Sequence, residues 1–201
     1  MPGVLPDSEI EALVEDVGLL APSGLAAGQI QPASVDLRLG ATAWRVRASF
    51  LAQGCPVEGR LPDFAMHRID LSEGALLEKG CVYLVELQEH LALPPGISAV
   101  TNAKSSTGRL DLLTRTITDE GAEFDRIPAG YAGPLYAEIC PRSFSVLARE
   151  GQRLNQIGKA VEIGINIHVD PQAKAASSAI STMSPKLFSR SSLGRAAPVS
   201  R

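Results

Sequence analysis

The sequence predicts a mainly β protein, a distorted antiparallel β-barrel of jelly-roll-like form with a short helix near its N-terminus. Three observations predict this fold: short apolar runs with strand alternation, many turn residues between them, and little helical periodicity after residue 18. The 201 residues include 18 Gly and 14 Pro, which favour an antiparallel barrel or sandwich over a parallel α/β sheet. Because 45% of the residues are hydrophobic, the chain can bury a core of ordinary domain size.

The predicted helix begins at Ser8, because Ser8 and Glu11 have the spacing of a capping box. Apolar residues then recur at helical spacing, and they are Ile10, Leu13, Val14 and Val17. We expect this amphipathic helix to end by Gly18, after which the hydrophobic period changes.

Five segments have the patterns of strands. Residues 35–39 alternate between apolar and charged side chains, and residues 81–87 form a compact apolar run. Residues 97–100 follow a Pro-Pro-Gly turn, and residues 135–140 follow the turn sequence Gly-Tyr-Ala-Gly-Pro. Residues 161–169 alternate most regularly, which is typical of a half-exposed strand.

The composition divides the chain into a domain at residues 1–170 and a tail at residues 171–201. The tail is rich in Ala and Ser, is basic, and has Phe188 as its one aromatic residue. Such a segment cannot bury enough apolar surface to order itself, so we expect the tail to be disordered.

The net charge of −3 is unevenly distributed. After Asp170 the chain has five cations and no acid, so residues 1–170 carry a net charge of −8. A body this acidic is a poor binder of nucleic acid, which requires a basic surface. We therefore expect no nucleic-acid partner, and any phosphate site must be local.

The sequence also predicts a cytoplasmic protein without a membrane partner. No apolar run approaches the roughly 20 residues that span a bilayer, and the first eight residues do not resemble a signal peptide. Cys55, Cys81 and Cys140 are odd in number and form no C-x-x-C pair, which argues against disulfides and structural zinc. The H-x-E and P-C-x-x-C signature of zinc deaminases does not occur, so we expect no metal site built by protein ligands.

Residues 104–109 predict a short loop that can hold a polyanion such as a nucleotide phosphate. They are Lys104, Ser105, Ser106, Thr107, Gly108 and Arg109. The two cations supply charge, the three hydroxyls supply hydrogen-bond donors, and the glycine allows the backbone to approach a ligand. On composition alone, a solvated turn is the alternative interpretation.

Glu138 is the candidate group for proton transfer. Strand alternation over residues 135–140 places Glu138 on one face with Tyr136 and Cys140, among apolar and weakly polar neighbours. Burial and a nearby cation together can tune a carboxyl group for acid-base work near neutral pH. The alternative is a glutamate on the exposed face of an edge strand.

Four segments in a fixed order carry a more specific signal. They are residues 31–40 (QPASVDLRLG), 104–109 (KSSTGR), 130–133 (GYAG) leading to Glu138, and 151–156 (GQRLNQ). Together they resemble the dCTP deaminase branch of the dUTPase-like family. The resemblance runs from about residue 29 to residue 157 and is strongest to the first half of a longer, two-repeat bacterial form.

The resemblance implies a homotrimer of distorted β-barrels, with each active site built at a subunit boundary. The implied substrate is dCTP, bound with Mg²⁺ on its phosphates. The implied reaction is hydrolytic deamination of cytosine to uracil with release of ammonia, without zinc.

The resemblance also implies residue roles. Glu138 would take a proton from water as the water attacks C4, Arg109 would lie beside Glu138, and Ser105 would position the water or the amino group. The remaining implied contacts are Lys104, Ser105 and Ser106 to the phosphates, the backbone of Tyr136 and Ala137 to the base, and Gln156 to the nucleotide.

The chain departs from the family pattern in three respects. Pro128 stands where related motifs usually carry an aspartate, and Asp125 and Asp119, in a longer segment upstream, are the candidates to replace it. After Pro171 the residues show no arrangement like the family's C-terminal segment that closes the nucleotide site. If the similarity to the two-repeat form holds, we expect that the second repeat is absent.

Two alternatives to deamination remain open. One is dUTP diphosphatase activity on the same fold, which needs a carboxylate to activate water against the α-phosphate. The other is a non-catalytic nucleotide-binding fragment, which the missing closing segment favours.

Overall fold

The computed structural model of the protein describes residues 18–21, 24–31, 34–119, 121–158 and 168–169. Its elements in chain order are β1 (Leu19–Leu20), β2 (Ile30–Gln31), β3 (Ser34–Val46), α1 (Val57–Phe64), β4 (Ala65–Asp70), β5 (Ala75–Leu77), β6 (Val82–Ala92), β7 (Ile97–Ala103), α2 (Ser105–Arg109), β8 (Leu112–Thr118), β9 (Arg126–Ile127), β10 (Ala132–Pro141), β11 (Val146–Ala148), β12 (Arg153–Gly158) and β13 (His168–Val169). The predicted N-terminal helix, the tail and most of the strand predicted at residues 161–169 lie outside the described residues.

Eleven strands form one antiparallel sheet, with the order β13-β7-β12-β3-β6-β10-β8 along its main path. This sheet nearly closes, because Asp125 joins β8 at one end to β7 near the other. The Asp125 amide donates to the Thr116 carbonyl at 2.9 Å, and the Asp125 carbonyl accepts from the Thr101 amide at 2.8 Å. The predicted antiparallel, barrel-like fold is confirmed.

Both faces of β10 are buried. Ala137 and Ile139 face the main core, where they pack with residues of β3 such as Leu37. The alternate residue Tyr136 faces the opposite side and packs in a second cluster with Leu61 of α1. The alternation predicted for residues 135–140 is therefore present, and it places Glu138 on the side that α1 covers.

The helix α1 is not predicted from the sequence, because Gly59 and Pro62 interrupt its helical pattern. Tertiary contacts stabilise it instead. Val57 and Leu61 are buried against the sheet, and the Val57 amide donates to Asp119 Oδ1 at 2.8 Å. Among the described residues, no helix is long and apolar enough to cross a bilayer.

A buried ion pair ties the 31–40 segment to β6. Glu89 is completely buried, and its Oε1 accepts from Arg38 Nε at 2.7 Å and from Gln29 Nε2 at 2.6 Å. Its Oε2 accepts from the Arg38 amide at 2.7 Å. Buried charges lose their hydration, so this pair needs the additional hydrogen bonds that it makes. These hydrogen bonds fix the position of β3 and therefore the position of Asp36.

Candidate active site

Three of the four sequence segments meet beside α2. The strand β12 pairs with both β3 and β7, which places Gln156 opposite Asp36 on one side and Asn102 on the other. Lys104 Nζ forms an ion pair with Asp36 Oδ2, and Arg153 Nη1 lies 3.6 Å from the same oxygen. We call Asp36, Lys104, Arg153 and α2 the α2 cluster.

Residues 104–109 form the short helix α2 and its N-cap, so the prediction of a loop is wrong. Lys104 is the N-cap, and its carbonyl accepts from the Gly108 amide at 3.0 Å. The buried Thr107 donates its hydroxyl proton to the Leu154 carbonyl at 2.9 Å, which anchors α2 to β12. This contact occupies the Thr107 proton, and a role of Thr107 in ligand binding stays a prediction. The exposed members of the segment are Ser105, Ser106, Gly108 and Arg109.

Glu138 lies at the centre of β10 with 3% of its surface exposed. Its neighbours across the sheet are Leu84 of β6 and Arg115 of β8. Arg115 donates twice to Glu138 Oε1, from Nε at 3.1 Å and from Nη2. Within the described residues, Glu138 Oε2 accepts no hydrogen bond. The edge-strand alternative is therefore wrong, because β10 is paired on both sides and Glu138 is buried with a cation.

Two further side chains contact Arg115. Arg115 Nη2 donates to Ser49 Oγ at 3.0 Å, and the guanidinium carbon lies 3.8 Å from the centre of the Phe124 ring. We call Glu138, Arg115, Ser49 and Phe124 the Glu138 cluster. Sequence reasoning missed Arg115, and only the register between β8 and β10 could have identified it.

Arg109 does not contact Glu138 within one chain. It is exposed at the end of α2, and its side chain makes no ion pair with any residue that the structure describes. The cation that contacts Glu138 is Arg115. One chain therefore presents the predicted site residues as two groups, the α2 cluster and the Glu138 cluster.

Tyr136 and Ala137 lie in the middle of the sheet. Both are buried, and their backbone is in register with β6 and β8, with a shift on the β6 side between Pro134 and Tyr136. Burial raises the pKa of Tyr136 far above its ordinary value, so its phenol is neutral. Burial also raises the pKa of the Cys140 thiol. The contact of this backbone to a base stays a prediction.

The two candidate aspartates have different surroundings. Asp119 caps α1, whereas Asp125 Oδ1 accepts from the Thr116 amide at 2.7 Å and from Thr101 Oγ1 at 3.0 Å. Burial raises the pKa of Asp125, the hydrogen bonds and the charge of Arg115 oppose this, and the charge of Glu138 adds to it. Asp125 is therefore the aspartate that shares the electrostatic surroundings of Glu138.

Asp125→Asn is expected to remove a pH-dependent part of the stability. Because the folded pKa of Asp125 is raised, protonation stabilises the fold, and this stabilisation is lost as the pH rises through that folded pKa. As the pH falls from neutral through the folded pKa of Asp125, the wild type should therefore gain stability relative to the variant. Urea unfolding of both proteins across this range measures the difference, and a constant difference would contradict the assignment.

The α2 cluster has the donor set of an anion site rather than of a metal site. Lys104 and the exposed hydroxyls of Ser105 and Ser106 supply charge and protons, and the carboxylate of Asp36 is engaged by Lys104. Across the part of the chain that the structure describes, no group of three or more His, Cys, Asp or Glu residues could hold a metal ion.

Residues 1–161 match the family model described as "2'-deoxycytidine 5'-triphosphate deaminase (DCD) N-terminal domain". The chain is 28% identical over 151 residues to the dCTP deaminase of Sulfurisphaera tokodaii, covering 75% of each chain. It is 27% identical over 158 residues to the dCTP deaminase of Halorubrum lacusprofundi, covering 77% of this chain and 75% of that one.

A crystal structure of 2'-deoxycytidine 5'-triphosphate deaminase from Agrobacterium tumefaciens is also similar, with 50% identity and a TM-score of 0.77. The match covers 84% of this chain and 47% of that chain, so it spans about half the length of the Agrobacterium protein. This agrees with the predicted similarity to half of a longer form. Because the family model matches most of the chain, the chain belongs to the family of dCTP deaminase N-terminal domains.

Proposed function

We propose that this protein catalyses the hydrolytic deamination of dCTP to dUTP and ammonia. The observation that carries the proposal is the state of Glu138, a buried carboxylate whose Oε1 is held by Arg115. Its Oε2 accepts no hydrogen bond from the described residues and is thus the oxygen that can exchange a proton with water. The substrate in this proposal is inferred from relatives that are named dCTP deaminases.

In the proposed reaction, water attacks C4 of cytosine while Glu138 takes one of its protons. Glu138 then passes that proton to N3 of the base, takes the proton of the new C4 hydroxyl and gives it to the amino nitrogen, so the bond from C4 to that nitrogen breaks and ammonia leaves as the C4 carbonyl forms. Ser105 would position the water or the amino group. The backbone of Tyr136 and Ala137 would contact the base.

We further propose that each active site combines two copies of the chain in a homotrimer. One copy supplies the Glu138 cluster, and a second supplies the α2 cluster with Arg109. The exposure of Arg109 and its separation from Glu138 within one chain support this division. A closed symmetric trimer would repeat the same pairing of clusters three times.

The triphosphate would lie against the α2 cluster. Lys104 and the hydroxyls of Ser105 and Ser106 would contact its oxygens, and Gln156, which lies in the adjacent strand, would contact the nucleotide. Mg²⁺ would arrive on the phosphates as part of the substrate and offset their charge. Zinc has no part in the proposed chemistry, and a free nucleotide substrate is consistent with a cytoplasmic location.

The reaction is tested by incubating the wild-type protein separately with Mg²⁺-dCTP and Mg²⁺-dUTP. We expect ammonia and dUTP from the first nucleotide and no product from the second. Formation of dUMP and pyrophosphate would favour the diphosphatase alternative, although the exposed Pro128 offers no carboxylate for it. Binding of dCTP without any product would favour a non-catalytic fragment.

A further inference from the structure

We propose that Arg115 is a positioning residue for Glu138, and that Phe124 and Ser49 hold Arg115 in its productive orientation. The proposal rests on the proposed deamination and assigns a part in it to three residues outside the four sequence segments. Phe124 lies in the longer segment by which this chain departs from the family pattern.

The strand register fixes the first contact. Arg115 of β8 lies directly opposite Glu138 of β10, so both side chains leave the sheet on the same face. Both donated hydrogen bonds end on Oε1, and Oε2 receives none from the described residues. If the Glu138 carboxylate rotated freely, its two oxygens would be equivalent. Because Arg115 holds Oε1, it determines that Oε2 is the oxygen that faces the reacting water.

A long arginine side chain can hold another group only if it is itself held. Arg115 Cζ lies over the Phe124 ring, 3.8 Å from its centroid, and Nη2 donates to Ser49 Oγ at 3.0 Å. The first is a cation-π contact and the second a directed hydrogen bond, and both restrict the guanidinium. Contacts from three separate parts of the chain therefore converge on one guanidinium, and the Arg115 side chain is 31% exposed.

The charges around Arg115 fit this role. Glu138 accepts directly from Arg115, and Asp125 lies within electrostatic range of both. Arg115 is thus a cation that contacts one carboxylate and lies within electrostatic range of a second. Arg109 of another copy would then approach Glu138 from the side of Oε2, so Arg115 and Arg109 would act on different sides of the carboxylate.

The proposal is tested by the kinetics of dCTP deamination in Arg115→Gln, Arg115→Lys, Phe124→Leu and Ser49→Ala. Misorientation of a catalytic group costs up to about 10²-fold in rate, so we expect Arg115→Gln to lower kcat by about 10- to 100-fold. Arg115→Lys should recover part of that loss, because it restores the charge without the fork. KM for dCTP should stay within about twofold, because the ground-state contacts to the nucleotide lie elsewhere.

Arg126→Gln is the matched control. Arg126 is an exposed arginine in the same longer segment as Phe124, and it forms an ion pair with Glu123 at 2.8 Å rather than with Glu138. We expect wild-type kcat and KM from this variant. Thermal unfolding of every variant separates loss of folded protein from loss of turnover.

Wild-type kcat in folded Arg115→Gln would overturn the proposal and leave Arg115 with a structural role only. If Arg115→Gln does not fold, Phe124→Leu and Ser49→Ala decide, because each removes one contact and retains the ion pair. We expect each to lower kcat by about threefold or more at constant KM, since each loosens the orientation of Arg115. Wild-type kcat in both Phe124→Leu and Ser49→Ala would also overturn the proposal. Absence of dCTP turnover in the wild type would instead overturn the proposed function.

Discussion

Glu138→Gln is expected to abolish ammonia release from dCTP. The glutamine keeps the shape of the side chain but cannot accept the proton of the attacking water, and loss of a general base costs about 10²- to 10⁴-fold in rate. The buried position adds to the effect, because the 3% exposure of Glu138 leaves little room for solvent to replace the base. Ammonia release measured with a coupled assay at saturating Mg²⁺-dCTP gives the loss in kcat directly.

Binding of dCTP should survive the same substitution. Calorimetry with Mg²⁺-dCTP is expected to give a Kd within a few-fold of the wild-type value, because the phosphates would contact the α2 cluster and not Glu138. Glu150→Gln is a suitable control, since Glu150 is exposed and its carboxylate contacts Gln88 at 3.4 Å. Full turnover by Glu138→Gln would contradict the assignment of Glu138 as the base.

Local patterns predict the strands that carry the site. The alternation in residues 135–140 correctly places Ala137 and Ile139 in the core and Glu138 on the opposite face. Residues 81–87 and 97–100 are likewise strands, as parts of β6 and β7. These signals are local, because the side-chain period of a strand is visible within a few residues.

Contacts that depend on strand register are not visible in the sequence. Arg115 and Glu138 are 23 residues apart, and a shift of one residue between β8 and β10 would turn the two side chains to opposite faces. The different contacts of Asp119 and Asp125 also depend on tertiary structure. Asp119 accepts from the Val57 amide of α1, whereas Asp125 accepts from the Thr116 amide of β8, and the sequence could not distinguish the two.

Tertiary contacts also override weak local preferences. Residues 104–109 have the composition of a turn, yet they form α2 because Thr107 is anchored to Leu154 and the Lys104 carbonyl accepts from Gly108. The helix α1 similarly forms around a proline, with Val57 and Leu61 packed on the sheet. Neither helix has the propensity to form alone.

The proposal that each active site combines Glu138 of one copy with Arg109 and α2 of another is tested most directly by activity complementation between Arg109→Gln and Glu138→Gln. Each variant alone is expected to be inactive, because every one of its sites lacks one of the two groups. In a mixed trimer, a site that takes Glu138 from one variant and Arg109 from the other is intact.

The two variants are co-expressed with different affinity tags, and trimers that contain both are isolated by tandem purification. Each mixed trimer contains two copies of one variant and one of the other, so one of its three sites is intact, and mixed trimers should recover about a third of wild-type turnover. Mixed trimers that remain as inactive as the single variants would contradict the claim, because they would place Glu138 and Arg109 in the same copy.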